Sequence, residues 1–170
     1  MHDADLLVAL AGIAGVFVGF GALISIRGSG ASEAHEVAYV RMVVWMGLMV
    51  IVTALVPVVV SRYGITGHEL WLPSSLLFLV AFWVMNLVSE RMDAERKAIV
   101  AAMQGKARVR LEVPAAFLWV PMHVALILVV LGLFPDVEPA LYVTAVVLYL
   151  FMDGLILLYL VHSQGRPATA

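Results

Sequence analysis

The chain contains no cysteine, so disulfide bonds, thiolate metal sites and cysteine nucleophiles are all excluded. It is also poor in charge. Only 13% of its 170 residues are Asp, Glu, Lys or Arg, and the formal net charge is −2. Nucleic-acid binding requires a clustered basic surface, and this charge balance does not predict one.

Apolar residues take the place of the missing charge. They make up 64% of the sequence, and the mean hydropathy is +1.04. Soluble domains contain roughly 45–50% apolar residues. The composition therefore predicts a polytopic membrane protein folded as one bundle, with no second domain. Because backbone groups in lipid must satisfy one another, the expected fold class is all-α.

Five apolar runs are long enough to cross a bilayer of about 30 Å as helices. They cover residues 6–26, 37–60, 70–88, 113–134 and 140–161. No basic segment precedes the first run, and the run is longer than the apolar core of a signal peptide. We therefore expect it to be retained as the first of five transmembrane helices.

The basic residues are distributed unevenly around these runs. Of the ten Lys and Arg residues, only Arg62 lies in the N-terminal segment or in the connections 61–69 and 135–139. The positive-inside rule then predicts an outside N-terminus and a cytoplasmic C-terminus, which agrees with five spans. Arginine outnumbers lysine, and Ala and Val abound, as in proteins of GC-rich bacteria. The predicted location is therefore a bacterial inner membrane.

The first run has a face of small residues, formed by Ala11, Gly15, Gly19 and Ala22. Gly15 and Gly19 form a small-xxx-small motif, which allows close approach of another helix. Three interpretations remain open from the sequence: packing inside the monomer, a subunit interface, or the wall of a pore.

A polar segment, residues 89–112, separates the third and fourth runs. We expect the third helix to continue into it and to stop at Gly105. The segment is amphipathic and basic, which favours contact with anionic lipid or a cytoplasmic partner, although its charges could also serve only to fix the topology. The basic residues are Arg91, Arg96, Lys97, Lys106, Arg108 and Arg110.

The last two runs each carry one ionisable residue near the middle, His123 and Asp153. At 1.5 Å per residue, His123 lies about 16 Å and Asp153 about 20 Å from the outer boundary. The short connection 135–139 makes the two helices antiparallel neighbours, so the two side chains can meet if both face the shared interface. Asn86 is the next candidate partner of Asp153, and Tyr149 lies one turn before it on the same face.

An ionised carboxylate alone in hydrocarbon costs about 3 kcal/mol on insertion scales, so Asp153 must be protonated, paired or exposed to water. Two interpretations follow. The polar groups could carry protons or a small cation across the membrane, or His123 and Asp153 could form a hydrogen bond that only fixes helix register. From outside to inside the predicted series of polar residues is Tyr142, Thr53, Tyr149, His123, Asp153, Asn86 and Ser25.

The sequence thus favours a small oligomeric channel or proton-linked transporter that uses Asp153 and His123. The alternative is a non-catalytic structural or assembly subunit of a larger membrane complex. No nucleophile–base pattern predicts an enzyme. No cofactor is expected either, because His123 and Asp153 are too few ligands for a metal site and the other histidines lie at or beyond the membrane boundaries.

Overall fold

The computed structural model describes residues 2–27, 34–92 and 105–164. These residues form five α-helices and one short 3₁₀ turn, with no strand among them, so the all-α prediction is confirmed. The helices are α1 (His2–Arg27), α2 (Ala34–Ser61), α3 (His68–Met92), α4 (Gly105–Val130) and α5 (Glu138–Gln164), and the 3₁₀ turn is Pro135–Val137.

Four helices in the described part of the chain are long and apolar enough to cross a membrane. The apolar stretch of α4, taken over the same described residues, is the shorter segment Phe117–Val130. The four candidate spans are Asp3–Ile24, Val40–Ser61, His68–Val88 and Pro135–Leu158.

The outer surface of the bundle is apolar along all five helices. Phe20, Trp45, Val80, Val124 and Phe151, one from each helix, are between 50% and 63% exposed. Monomeric soluble proteins rarely expose contiguous apolar surface of this kind, whereas lipid tails are as apolar as these side chains. The surface is therefore that of a membrane protein.

Helix α5 is the central element. It packs against α1, α2, α3 and α4, while α1 packs along α2 and α3 packs along α4. Four polar side chains of α5 are completely buried: Glu138, Tyr142, Tyr149 and Asp153. Their spacing of four, seven and four residues places them on one face of the helix. We call this set the polar face of α5.

The helix that contains the fourth apolar run has different bounds from the run itself. Helix α4 begins at Gly105 instead of residue 113 and ends at Val130 instead of residue 134. Gly132 terminates it, with φ +62°. The backbone N–H of Gly132 donates to Val129 O at 3.0 Å and that of Leu133 to Leu128 O at 3.5 Å. This pattern is a Schellman motif, in which glycine takes the left-handed conformation that ends a helix.

The earlier start of α4 changes the position of the basic segment. Lys106, Arg108 and Arg110 lie in the first turns of α4 instead of in a connection, and Gly105 begins this helix. Arg91 lies in the last turn of α3. Arg96 and Lys97, together with the helical continuation predicted up to Gly105, fall within residues 93–104, outside the described residues.

Candidate functional site

Asp153 is a completely buried carboxyl within the last span. It is 0% exposed and lies on the polar face of α5. Neither Oδ1 nor Oδ2 has a hydrogen-bond partner among the described residues. Buried polar atoms in proteins are nearly always hydrogen-bonded, so a carboxyl with two unpartnered oxygens requires an explanation.

The carboxyl group of Asp153 is directed towards the contact between α1 and α2. A Cβ atom built on Gly47 of α2 would lie 3.3 Å from Asp153 Oδ2 and 3.3 Å from the carbonyl oxygen of Ala14 on α1. The same Cβ would be only 2.5 Å from Cγ2 of Val18. Position 47 therefore has room for glycine only, and the tight contact that glycine allows forms one wall of the Asp153 site.

His123 lies in a different environment, among aromatic rings of α3 and α4. Its Nδ1 donates to the carbonyl oxygen of Trp119 at 3.0 Å, one turn earlier in the same helix. The ring centroids of Trp119 and Phe82 are 4.2 Å and 4.9 Å from that of His123, and Trp83 is 6.0 Å away. The residue is 8% exposed, and its buried Nε2 has no hydrogen-bond partner in the part of the chain that the structure describes.

The structure does not join His123 to Asp153, so the direct contact considered from the sequence is absent. Within the described ranges, neither the oxygens of Asp153 nor Nε2 of His123 have a hydrogen-bond partner. The ring centroid of Phe82 lies 4.9 Å from that of His123 and 5.7 Å from that of Tyr149, so Phe82 packs between the His123 ring and the polar face of α5. Depth along a helix follows from residue number, but the direction of a side chain depends on how neighbouring helices are rotated.

The other residues of the predicted series whose side chains are described form separate interactions, and the side chain of Ser25 lies outside the described part of the structure. The hydroxyl of Tyr142 donates to the backbone carbonyl of Thr53 at 2.7 Å, which links α5 to α2. Asn86 donates from Nδ2 to a carbonyl one turn earlier in its own helix at 2.9 Å. The hydroxyl of Tyr149 is directed at Sδ of Met85 at 4.0 Å. These side chains therefore do not form a continuous hydrogen-bonded path.

Sequence reasoning missed a second buried carboxyl, that of Glu138. His68 Nδ1 at the start of α3 donates to Glu138 Oε1 at 2.6 Å. The side chain of Glu138 is 1% exposed and that of His68 is 41% exposed. Oε2 of Glu138 has no hydrogen-bond partner among residues 2–27, 34–92 and 105–164, which the structure describes. The sequence predicts that residue 138 lies in the connection 135–139. Its spacing of four residues from Tyr142 is nevertheless the spacing that puts two residues on one helical face.

The small-residue face of α1 divides between the core and the outer surface. Ala11 is buried at 8% exposure, whereas Gly15, Gly19 and Ala22 are exposed. A Cβ atom on Gly15 or Gly19 would meet nothing within 4 Å. The small-xxx-small motif therefore faces away from this bundle and does not pack inside the monomer.

No group of three or more His, Asp or Glu side chains that could hold a metal ion occurs in the described ranges. No family model, curated protein or solved structure matches this chain. Function must therefore be argued from the geometry of the site.

Proposed function

We propose that this chain is a proton-linked membrane transporter or a small channel in which Asp153 is the protonation site. The observation that carries the proposal is the carboxyl of Asp153, which is completely buried and has no hydrogen-bond partner among the described residues. It lies on α5, the helix that contacts all the others. Ionisable residues inside membrane spans are costly and usually functional.

A purely structural role gives no reason for this arrangement. A structural aspartate stabilises a fold by accepting hydrogen bonds, and the described residues offer Asp153 none. Asparagine or leucine would pack there without the cost of an ionisable group. A carboxyl that must alternately gain and lose a proton benefits from the lack of a fixed partner.

The packing around Asp153 supplies a way to couple protonation to movement. The neutral carboxyl fits beside Gly47 and Ala14 in a site that the tight contact of α1 with α2 closes. The ionised carboxylate in the same place requires water or a cation, because isolated charge is unstable in apolar surroundings. Deprotonation therefore favours separation of α5 from α1 and α2, and protonation favours closure.

His123 has a secondary role in this proposal. Its ring lies beside Phe82, which also contacts Tyr149 on the polar face of α5. A positive charge on the imidazole would be attracted by the surrounding aromatic faces. His123 is thus a gating candidate that acts through packing and not through direct exchange with Asp153. Asn86 and Tyr149 remain weaker candidates.

We further propose five spans, with the N-terminus outside, the C-terminus in the cytoplasm of a bacterium, and a homo-oligomer as the working unit. The distribution of Lys and Arg supports this orientation. The absence of cysteine makes the test direct: a single Asp136→Cys variant should react with a membrane-impermeant maleimide added outside intact cells. Labelling only after cell lysis would contradict the orientation.

Proton flux in proteoliposomes tests the proposal. Asp153→Asn keeps the shape of the side chain but cannot titrate, so it should lower the flux driven by an imposed pH gradient at least about tenfold. Asp136→Asn, in an exposed carboxyl of the 3₁₀ turn, is the matched control and should leave flux unchanged. Size-exclusion chromatography checks that both variants assemble normally. Wild-type flux in the Asp153→Asn variant would refute the proposal.

The second candidate function is a non-catalytic subunit of a larger membrane complex. The exposed Gly15 and Gly19 face supports it, because small residues on a lipid-facing surface allow another helix to approach closely. The basic residues of α3 and α4 would add binding to anionic lipid. Purification from native membranes in mild detergent separates the candidates: stoichiometric partner proteins that Gly15→Ile displaces favour the subunit, and a homo-oligomer favours the transporter.

A further inference from the structure

The contact between His68 and Glu138 joins an exposed residue to a buried one. The imidazole of His68 has 41% of its surface accessible, and the side chain of Glu138 beneath it has only 1%. Nδ1 and Oε1 are 2.6 Å apart. Among the described residues, His68 is therefore the one polar contact of the Glu138 carboxyl.

The backbone is shaped to hold the imidazole in this position. Gly132, in the Schellman motif that ends α4, approaches the ring so closely that a Cβ there would lie 3.1 Å from Cε1 of His68. The start of α3, the end of α4 and the start of α5 thus meet at one end of the bundle. The three elements hold the imidazole directly over Glu138.

The second carboxyl oxygen of Glu138, Oε2, takes no part in the contact with His68. It is buried, and no described residue forms a hydrogen bond with it. Glu138 shares the polar face of α5 with Tyr142, Tyr149 and Asp153. Glu138 and Asp153 are separated by fifteen positions, which correspond to about 22 Å along the helix.

One other titratable group near this end is buried: Tyr142, one turn from Glu138, whose hydroxyl donates to Thr53 O. The charged residues near this end and Tyr63 are solvent-exposed, so water screens the charges. These exposed residues are Asp3, Asp5, Arg62, Tyr63, Glu69 and Asp136. The contact between exposed His68 and buried Glu138 therefore joins solvent to the buried carboxyl.

We infer that His68 and Glu138 form the port through which protons pass between the adjoining aqueous phase and the buried polar face of α5. The inference rests on the proposed function, since it assigns the solvent end of the proton route that Asp153 serves. Imidazole suits this task because it can accept a proton at one ring nitrogen and release one from the other.

The transfer conserves protons and charge. With His68 neutral and Glu138 ionised, Nε2 of His68 accepts a proton from a hydronium ion, which becomes water, and the Nδ1–H proton moves to Oε1 of Glu138. This leaves a neutral imidazole protonated at Nε2 and a neutral carboxyl. Exchange with solvent then returns the ring proton to Nδ1. From Glu138, the proton continues along α5 when water enters between α5 and its neighbours in the open state.

Two substitutions of His68 separate proton transfer from structure. His68→Ala removes the imidazole and should lower Asp153-dependent proton flux at least about tenfold, and added imidazole should restore most of it because the site is open to solvent. His68→Asn places an amide N–H where Nδ1 was, so it should keep the hydrogen bond to Glu138 and the thermal stability while flux is still lost. Glu69→Gln, at the neighbouring exposed carboxyl, should behave as wild type.

The outcomes distinguish this inference from the proposal on which it rests. Absence of proton flux in the wild type, or flux that Asp153→Asn leaves intact, refutes the transport function. Flux that requires Asp153 but survives both His68 variants refutes the port alone. Loss of flux in both His68→Ala and His68→Asn, together with its recovery in His68→Ala on addition of imidazole, supports the port.

Discussion

Gly47→Ala is the sharpest structural test of the Asp153 site. The added methyl would lie 2.5 Å from Cγ2 of Val18, far inside van der Waals contact, and 3.3 Å from both Ala14 O and Asp153 Oδ2. Valine has one strongly preferred rotamer in a helix, so Val18 cannot turn away without cost. Helices α1 and α2 must therefore separate where they enclose the Asp153 carboxyl.

The expected loss of stability is the difference between two effects. Inserting a methyl into a closely packed contact costs about 1–3 kcal/mol. Replacing glycine by alanine inside a helix returns up to about 1 kcal/mol. The net free energy of unfolding should fall by about 1–2 kcal/mol, which lowers the midpoint of thermal unfolding by roughly 2–8 °C for a chain of this size.

Thermal unfolding in detergent, followed by tryptophan fluorescence, measures this change. Gly12→Ala is the matched control, because its Cβ meets nothing within 4 Å, so it should unfold at or above the wild-type temperature. Val18→Ala removes the clashing methyl groups, and combining it with Gly47→Ala should recover part of the lost stability. Equal unfolding temperatures for Gly47→Ala and Gly12→Ala would refute the packing described for the site.

Two further substitutions test the contacts that position α5. Tyr142→Phe removes the 2.7 Å hydrogen bond to Thr53 O but keeps the ring, so it should lower the free energy of unfolding by about 1 kcal/mol in a thermal or denaturant titration. Gly132→Ala places a Cβ at φ +62° and 3.1 Å from the His68 ring, so strain and crowding together should cost about 1–3 kcal/mol and displace His68 from Glu138.

Both substitutions have a control in the same chain. Tyr63 is 81% exposed, and Tyr63→Phe should leave stability unchanged. Gly64 has φ +83° with nothing within 4 Å of an added Cβ, so Gly64→Ala measures the backbone strain without the crowding. If Gly132→Ala were no more destabilising than Gly64→Ala, the close approach to His68 would have no energetic consequence.

Much of the fold could be predicted from the sequence because lipid imposes strict requirements. A chain with 64% apolar residues and long uncharged runs has to form helices, since no other open structure satisfies the backbone in hydrocarbon. The distance of Asp153 from the start of its helix could also be predicted, because the rise of a helix is fixed at about 1.5 Å per residue. Helix ends were less predictable. The Schellman motif at Gly132 shortened α4 in a run that is apolar on both sides of the glycine.

The direction of each side chain was not predictable, for a reason specific to membrane proteins. In a soluble protein the polar side of a helix marks the surface, but lipid-facing and core-facing sides are both apolar here. Phe151, which is 63% exposed, and Leu150, which is 8% exposed, look equivalent in the sequence. His123 and Asp153 could therefore be placed at similar depth but not oriented relative to each other.

The sequence by itself determined the all-helical, membrane-compatible character of the chain and the presence of an ionisable residue deep in its last apolar run. Only the tertiary structure decided that Asp153 faces the α1–α2 contact at Gly47, that His123 lies among aromatic rings, and that Glu138 is buried beneath His68. Composition and helical rise are properties of one segment. Which side chains are buried, and which side chains they contact, depends on how each helix is rotated relative to its neighbours. Helix α5 contacts the four other described helices, so its rotation determines the surroundings of Glu138, Tyr142, Tyr149 and Asp153.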